Sequence, residues 1–205
     1  YSIENFLVAR RLMYWQVYLH KTSVAYENML VSALLRAKEL ASKGVELFAS
    51  PALKFFLYND INRERFKSDP KCLENFILLD DNDIWTSLKV WCNHNDIILA
   101  TLSQGMVNRE IFKVEVSPTP CTEERLNAIS ERIAKQLHIN KEDTRYFIST
   151  PSIEKNMYNP ADDSIDILYH YGSTTNIAEA SDMLHLSVLS KKVKKYYICY
   201  LREKK

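Results

Sequence analysis

Apolar residues recur at helical spacing through the first forty residues of this chain. Residues 4–43 contain no proline or glycine and are rich in good helix formers. Together these features predict one long helix, or two helices end to end. Gly44 stands where a left-handed C-terminal cap belongs. The apolar members of the series are Phe6, Met13, Val17, Val24, Leu30 and Leu34.

Helical spacing continues in shorter pieces as far as about residue 110. Ser50 followed by Pro51 combines a cap residue with a first-turn proline, which predicts a helix start. The run Asp81-Asn82-Asp83 supplies N-cap candidates for a later helix. We therefore place a helical region at residues 1–110. Its remaining parts are a polar connection with a helical turn over 59–70 and helices over 73–79 and 96–108.

The apolar period changes from 3.6 to 2 near residue 111. Four segments then have strand character, and two helical segments lie between them, the first capped by Thr122 and the second spanning 178–190. The order βαββαβ is that of a ferredoxin-like module, with two helices on one face of an antiparallel sheet. The fold class is thus α+β, with a small second domain at 111–205. The predicted strands are 112–116, 145–150, 165–171 and 193–202.

Composition and charge exclude several classes of protein. A net charge of +1 argues against a general nucleic-acid-binding surface. The four cysteines lack CxxC spacing, so we interpret them as reduced thiols in a cytoplasmic protein. No apolar run approaches the roughly 18 residues of a membrane span. The chain begins with Tyr1 and enters a helix almost at once, so we expect it to be a piece of a larger protein.

Four side chains of the first helix form one stripe. At about 100° per residue, Arg10, Tyr14, Tyr18 and Lys21 lie within an arc of roughly 80°. Cations and phenols suit an anionic ligand that also carries a ring, because a guanidinium can hold a phosphate bidentately and a tyrosine can stack on a sugar or base. The same residue types also suit a helix–helix interface, with the charged ends left in water. Spacing alone leaves both interpretations open.

The run VARRLMYWQVYLHKTSVAYENMLVSALLRA resembles a segment of a known family. It is similar to the part that follows the catalytic domain in HD-superfamily deoxynucleoside triphosphate triphosphohydrolases, which include the vertebrate SAM-and-HD-domain enzyme and bacterial relatives. The shared pattern is Arg10, seven residues, and then Tyr18-Leu19-His20-Lys21. A weaker resemblance continues through DNDIWTSLKVW, NREIFK and the C-terminal third.

The resemblance implies roles for single residues. Arg10 matches an arginine that holds the terminal phosphates of the substrate, and Tyr18 matches a tyrosine that closes against the deoxyribose. His20 and Lys21 match residues that face a regulatory nucleotide between subunits, and Arg109 in NREIFK matches another cation of that site.

The chain also departs from the family pattern at three positions. Tyr14 stands where the vertebrate enzyme has a histidine near the substrate phosphates, so we count Tyr14 among the substrate-binding residues. Leu19 stands in place of a glutamine, and Gln16 in place of an arginine. These changes leave the base preference and the activating nucleotide open.

The family's reaction needs a divalent metal held by histidines and aspartates, one pair of which is adjacent. This chain has no His-Asp dipeptide, and Asp96 of His94-Asn95-Asp96 suits a helix cap better than a metal ligand. We therefore expect no catalytic residue, no bound cofactor and no activity in this portion alone. The resemblance implies a site for Mn, Mg, Fe or Zn in the missing HD domain.

Two functional hypotheses follow. In the first, the chain is the C-terminal portion of an HD-domain phosphohydrolase that cleaves deoxynucleoside triphosphates (dNTPs) to deoxynucleoside and triphosphate, and it contributes substrate contacts and an oligomer or regulatory surface. Its partners would be a dNTP, an activating nucleotide and further copies of itself, without a membrane or nucleic acid. In the second, the chain is a regulatory or assembly module of a protein that acts on a non-nucleotide ligand.

Overall fold

The structure is a computed structural model that describes residues 2–155, 165–180 and 193–203. From Ser2 to Val107 the regular elements are helices, and the first strand begins at Lys113. The predicted combination of a helical region followed by a region with strands is therefore confirmed. The helices are α1 (Ser2–Met13), α2 (Lys21–Ser42), α3 (Pro51–Tyr58), α4 (Arg63–Ser68), α5 (Pro70–Ile77), α6 (Asp81–Trp91), α7 (Ile97–Val107), α8 (Glu123–Leu137) and α9 (Ile177–Ala180). The strands are β1 (Lys113–Ser117), β2 (Ile148–Ser149), β3 (Ser152–Lys155), β4 (Asp166–Leu168), β5 (Thr174–Asn176) and β6 (Val193–Tyr200).

The predicted N-terminal helix is two helices joined by a wider turn. A π-helical turn at Tyr14–Tyr18 follows α1 directly, and the chain leaves the helix at Leu19 before α2 begins. At the other end of α2, Gly44 has a φ of 82°. Its N–H bonds Ala41 O at 3.0 Å, and the N–H of Val45 bonds Leu40 O at 3.0 Å. This is a Schellman cap, which confirms the predicted role of Gly44.

Side-chain caps begin several of the other helices. Ser50 accepts a hydrogen bond from the N–H of Leu53 at 3.3 Å, as the Ser-Pro pair predicts. Asp80, rather than a member of the predicted run Asp81-Asn82-Asp83, is the N-cap of α6. It forms a capping box with Asp83, in which each side chain bonds the backbone N–H of the other residue.

The chain divides into two compact units. The first contains Tyr1–Val24, Val114–Thr122 and Thr150–Ile198, and the second contains Ala25–Lys113, Glu123–Ser149 and Cys199–Lys205. The predicted boundary at residue 110 therefore does not separate these two units. Contacts define the units in three dimensions, whereas the change of apolar period marks only a change of secondary structure along the chain.

The first unit combines α1 with most of the strands. β3 pairs antiparallel with the first half of β6, from Ser152 opposite Tyr196 to Lys155 opposite Val193. β1 is a neighbour of β6 in the same sheet, and β4 and β5 form a separate two-stranded sheet. Leu7 and Ile177 are buried together, and their partly buried neighbours are Val8, Ile165 and Ile167.

The second unit is built on α2, α6 and α7. Trp91 of α6 is buried and donates its indole N–H to Phe48 O at 2.9 Å. Gly105 of α7 permits close packing, because a Cβ there would lie 2.8 Å from Cε of Met29. The helix predicted after Thr122 is confirmed as α8, and Ile133 is fully buried. β2 adds to the end of β6, with Ile148 opposite Tyr200.

The predicted ferredoxin-like sheet is not what the described residues form. In that arrangement the third predicted strand, at 165–171, would lie within the main sheet. Instead it is β4, which pairs with β5 through the register Asp166–Asn176 to Leu168–Thr174. The hairpin turn closes with the N–H of Tyr169 on Ser173 O at 2.9 Å. β4 and β5 form a separate two-stranded sheet, and the main sheet consists of β1, β2 and β3 beside β6.

Three further predictions need correction or lie outside the described residues. The strand predicted at 145–150 is a 3₁₀ helix (Lys141–Tyr146) followed by the short β2. Ser152–Lys155, which lie outside the four predicted strands, form β3. Of the helix predicted at 178–190, only the part up to Ala180 is described. Residues 156–164 and 181–192 lie outside the description.

Candidate functional site

Three predicted substrate residues meet at one cavity. The guanidinium of Arg10 lies 5.9 Å from the ring centre of Tyr14, and the rings of Tyr14 and Tyr18 are 5.4 Å apart and tilted by 54°. All three border an open cavity of about 510 Å³. We call this cavity and its lining residues the α1 cavity. They are Phe6, Ala9, Arg10, Met13, Tyr14 and Tyr18.

The π-helical turn brings the two tyrosines together. The N–H of Leu19 bonds Tyr14 O at 2.7 Å, which is the i to i−5 spacing of a π-helix. Such turns are rare within helices and are frequent at functional sites. Tyr14 and Tyr18 are the first and last residues of this turn, so its geometry sets the distance between their rings.

Neighbouring groups of the first unit brace the end of this turn. Ser23 donates its hydroxyl to Val17 O at 2.9 Å, and the Tyr197 hydroxyl lies 3.3 Å from Leu19 O. Beside them, the ammonium of Lys195 lies 4.0 Å from the ring centre of Trp15. The first two contacts use backbone oxygens, of Val17 and Leu19, that a straight α-helix would have paired within itself.

Arg10 is not neutralised by a carboxylate in the part of the chain that the structure describes. Its cation–π contact with Tyr14 is the interaction found for its guanidinium there. Arg10 is exposed, and 56% of the surface of Tyr18 is accessible to solvent. A guanidinium with free donors, beside the half-buried ring of Tyr14 and the exposed ring of Tyr18, can bind an anion with two parallel hydrogen bonds, and the rings can stack on a ring of the ligand.

His20 and Lys21 lie at the break rather than on the α1 cavity. The N–H of Thr22 bonds Nδ1 of His20 at 3.2 Å, so the imidazole caps the start of α2 while remaining exposed. Lys21 is the first residue of α2 and is also exposed. The predicted stripe assumed an unbroken helix, and the chain leaves helical geometry between Tyr18 and Lys21. Lys21 is accordingly absent from the lining of the α1 cavity.

Arg109 belongs to the second unit and borders a different cleft. It adopts a left-handed backbone conformation, with a φ of 60°, at the turn after α7. The cleft has a volume of about 730 Å³ and also contains Glu110, Arg202 and Glu203. Nε of Arg202 bonds Ile111 O at 2.9 Å. Because cations and carboxylates alternate here, the cleft is polar without being strongly cationic.

An ion network in the second unit was not predicted. Arg36 of α2 binds Asp96 with two hydrogen bonds, Nε to Oδ1 at 3.1 Å and Nη2 to Oδ2 at 2.6 Å. Asp96 also caps α7 by accepting from the N–H of Leu99 at 2.9 Å, which confirms the predicted cap. Burial raises the pKa of Asp96, but the hydrogen bonds from Arg36 and Leu99 outweigh burial and lower it.

Glu39 occupies the other side of this network. Lys43 lies 2.6 Å from one carboxylate oxygen, and the Tyr146 hydroxyl donates to the other. These two hydrogen bonds, helped by the charge of Arg36, lower the pKa of Glu39 to about 2. Arg145 adds a contact at 3.3 Å. Since each charge here already has a partner, we interpret the network as structural. Its only sequence signal was the helical spacing of Arg36, Glu39 and Lys43.

The described residues do not fit a metal or a cysteine nucleophile. Among residues 2–155, 165–180 and 193–203, no three His, Cys, Asp or Glu side chains are grouped so as to hold a metal ion. The four cysteines are free. Burial raises the pKa of the Cys92 and Cys199 thiols, which disfavours the nucleophilic thiolate. In the same ranges, none of the helices is both long and apolar enough to cross a bilayer.

Comparison with solved structures finds a phosphohydrolase. The chain superimposes on the crystal structure of a phosphohydrolase from Bacteroides thetaiotaomicron VPI-5482 with a TM-score of 0.93. The two are 71% identical, and the match covers 98% of this chain and 50% of that chain.

Comparison of sequences finds a curated relative in Bacillus subtilis (strain 168), the uncharacterized protein YwfO. It is 29% identical over 119 residues, which are 58% of this chain and 25% of YwfO. No family model matches the chain. The chain therefore spans about half of the solved phosphohydrolase, and its match with YwfO covers about a quarter of that relative.

Proposed function

We propose that this chain is the C-terminal portion of an HD-domain phosphohydrolase that cleaves dNTPs to deoxynucleoside and triphosphate. The observation that carries the proposal is the α1 cavity, where Arg10, Tyr14 and Tyr18 converge and the guanidinium has no carboxylate partner among the described residues. The similarity to a phosphohydrolase at 71% identity supports it. The parent protein acts in the cytoplasm.

Each residue of the cavity has a role that its chemistry suits. Arg10 binds the terminal phosphates, because its guanidinium can donate two parallel hydrogen bonds. Tyr14 positions the Arg10 guanidinium through the cation–π contact between them. Tyr18 closes against the deoxyribose, where its ring leaves no space for a 2′-hydroxyl and no partner for that group. These residues bind and orient the substrate, and the groups that cleave it, including the divalent metal, lie in the HD domain.

The exposed groups beside this cavity form a regulatory surface in the same proposal. His20 and Lys21 are both exposed at the start of α2. An activating nucleotide that is bound between two subunits can therefore contact both side chains. Arg109, which borders the separate cleft of the second unit, supplies a further cation for binding an activating nucleotide. The parent protein is a homo-oligomer in which this surface is completed.

The test is triphosphate release by the full-length protein from dGTP in the presence of manganese. Arg10→Ala should lower kcat/KM by roughly 100-fold or more, because a charge-assisted contact to the substrate phosphates is lost. Arg63→Ala is the matched control, since Arg63 is another exposed helical arginine. Its turnover should equal that of the wild type. Wild-type turnover in Arg10→Ala, with the protein folded, would remove Arg10 from the site.

A second candidate function is assembly without a nucleotide. It is favoured by the apolar members of the same cavity, because Phe6 is 60% exposed and Met13 is 45% exposed. In that case the α1 cavity receives another polypeptide. Absence of triphosphate release from dGTP by the wild type, combined with a changed subunit number in Phe6→Asp, would favour this function over the first.

A further inference from the structure

Helix α5 carries an apolar surface that faces solvent. Leu73, Phe76, Ile77 and Leu78 are 55%, 57%, 72% and 68% exposed. We call these four side chains the α5 patch. They occupy neighbouring positions, since residues three and four apart share a helix face and Leu78 directly follows the helix. Isolated exposed apolar residues are common, whereas a contiguous group of this size marks an interaction surface.

The α5 patch belongs to an ordered helix whose other side is packed. Cys72 is fully buried, and Phe76 makes an edge-to-face contact with Phe66 of α4, with ring centres 5.7 Å apart. Asp69 caps the helix by accepting from the N–H of Lys71 at 3.1 Å. Leu73 and Ile77 are therefore exposed on a helix whose opposite side is already packed against the rest of the protein.

Charges of opposite sign lie at the two ends of the patch. Lys67 and Lys71 are exposed at its N-terminal end, and Asp80 and Asp81 are exposed at its C-terminal end. Within the described chain, neither Lys71 nor Asp81 has an ion-pair partner. A surface that is apolar in the middle and oppositely charged at its ends is complementary to itself when one copy is turned by 180°.

We propose that the α5 patch packs against the α5 patch of a second copy of this chain, around a two-fold axis and with the two helices antiparallel. Leu73 of one copy then lies level with Ile77 and Leu78 of the other. Lys71 of each copy lies level with Asp81 of its partner, so the two-fold axis forms this ion pair twice. The proposal does not use the α1 cavity, and it stands or falls independently of the phosphohydrolase proposal.

The exposed area is of the size that such a contact needs. From their exposed fractions, the four side chains present roughly 500 Å² per copy, and two copies together reach about 1,000 Å². This is near the lower limit of a specific interface before the flanking charged side chains are counted.

The first experiment measures the molar mass of the full-length protein by light scattering after size exclusion. Ile77→Asp should halve the molar mass, because it places two carboxylates at the centre of the contact. Leu168→Asp is the matched control, since Leu168 of β4 is 70% exposed and Ile77 is 72% exposed. An unchanged mass in Ile77→Asp, or an equal loss in Leu168→Asp, would overturn the proposal.

A charge reversal tests the pairing itself and remains informative if Ile77→Asp fails to fold. Lys71→Glu and Asp81→Lys should each weaken self-association by roughly tenfold, because each loses two equivalent pairs. The double variant should return to within about threefold of the wild type. Failure of the double variant to recover, or a monomeric wild type, would overturn the proposal. So would a lowered thermal midpoint of Ile77→Asp at unchanged mass, since another segment of the same protein would then cover the patch.

Discussion

Tyr18 and Arg10 line the same cavity, but the proposed function gives them different roles in substrate binding. In the proposed function Arg10 contributes charge and Tyr18 contributes shape; 56% of the Tyr18 surface is exposed, and its ring lies 5.4 Å from that of Tyr14. A ring that fills the space of a 2′-hydroxyl discriminates without attracting the substrate. The two substitutions should therefore have different kinetic signatures.

We expect Tyr18→Ala to narrow the preference for dGTP over GTP by roughly tenfold or more, because the space for a 2′-hydroxyl is opened. Tyr18→Phe should keep the wild-type preference, since it retains the ring. The measurement is the ratio of kcat/KM for the two substrates in the full-length protein. Tyr171→Ala, which removes a tyrosine that is 78% exposed, serves as the control. An unchanged ratio in Tyr18→Ala would take the discriminating role away from Tyr18.

Residue by residue, sequence reasoning succeeded where a side chain acts on its own helix. The cap formed by Asp96 and the left-handed Gly44 follow from local rules. It missed the partner of Asp96, because Arg36 lies 60 positions away in the sequence. It also placed Lys21 in the stripe by assuming a continuous helix, which the break after Tyr18 contradicts.

At the scale of elements, the C-terminal cap of α2 depends on one glycine. Gly44 has a φ of 82°, and a Cβ added there would meet no atom within 4 Å. Gly44→Ala should therefore lower the free energy of unfolding by about 1 kcal/mol through backbone strain alone. Gly44→Asn should cost less, because asparagine tolerates the left-handed region. Urea denaturation measures both, and equal stability of Gly44→Ala and wild type would show that the cap adopts another geometry.

At the scale of elements, the spacing of apolar residues did not predict which strands pair. Of the strand predicted at 165–171, only Asp166–Leu168 form a strand, and the following residues form the hairpin turn. The partner of this strand is the polar segment Thr174–Asn176, across the turn at Gly172. A short polar strand has no apolar signal of its own. Once the hairpin forms, β4 has its partner in β5, and β2 and β3 pair with β6 instead.

At the scale of the whole molecule, the ion network of Arg36, Glu39 and Asp96 links stability to pH. Folding lowers the pKa of Glu39 from 4.5 to about 2, so between these values the unfolded chain binds more protons than the folded one. The stabilisation is complete above pH 4.5 and is lost as the pH falls toward 2. Asp96 acts in the same direction, because its pKa is also lowered.

We expect acidification from pH 5 toward pH 2 to remove about 1 kcal/mol of stability through Glu39, after allowance for its partial exposure to solvent. Glu39→Gln should show a flatter dependence over this range, because the titrating group is gone. Urea unfolding at pH 5, 4 and 3 measures the difference. Parallel curves for the wild type and Glu39→Gln would mean that Glu39 has an ordinary pKa in the folded protein.

The sequence by itself determined the helical first half, the change to strands near residue 112, several helix caps and the grouping of Arg10, Tyr14 and Tyr18, three of the six residues that line the α1 cavity. Each of these depends on neighbours within about one or two helical turns, so its signal lies in a short stretch of chain. Tertiary structure decided the partner of β4, the pairing of Arg36 with Asp96, and which apolar residues face solvent. Those outcomes depend on contacts between segments far apart in sequence, and several partners with equal local propensity compete for each of them.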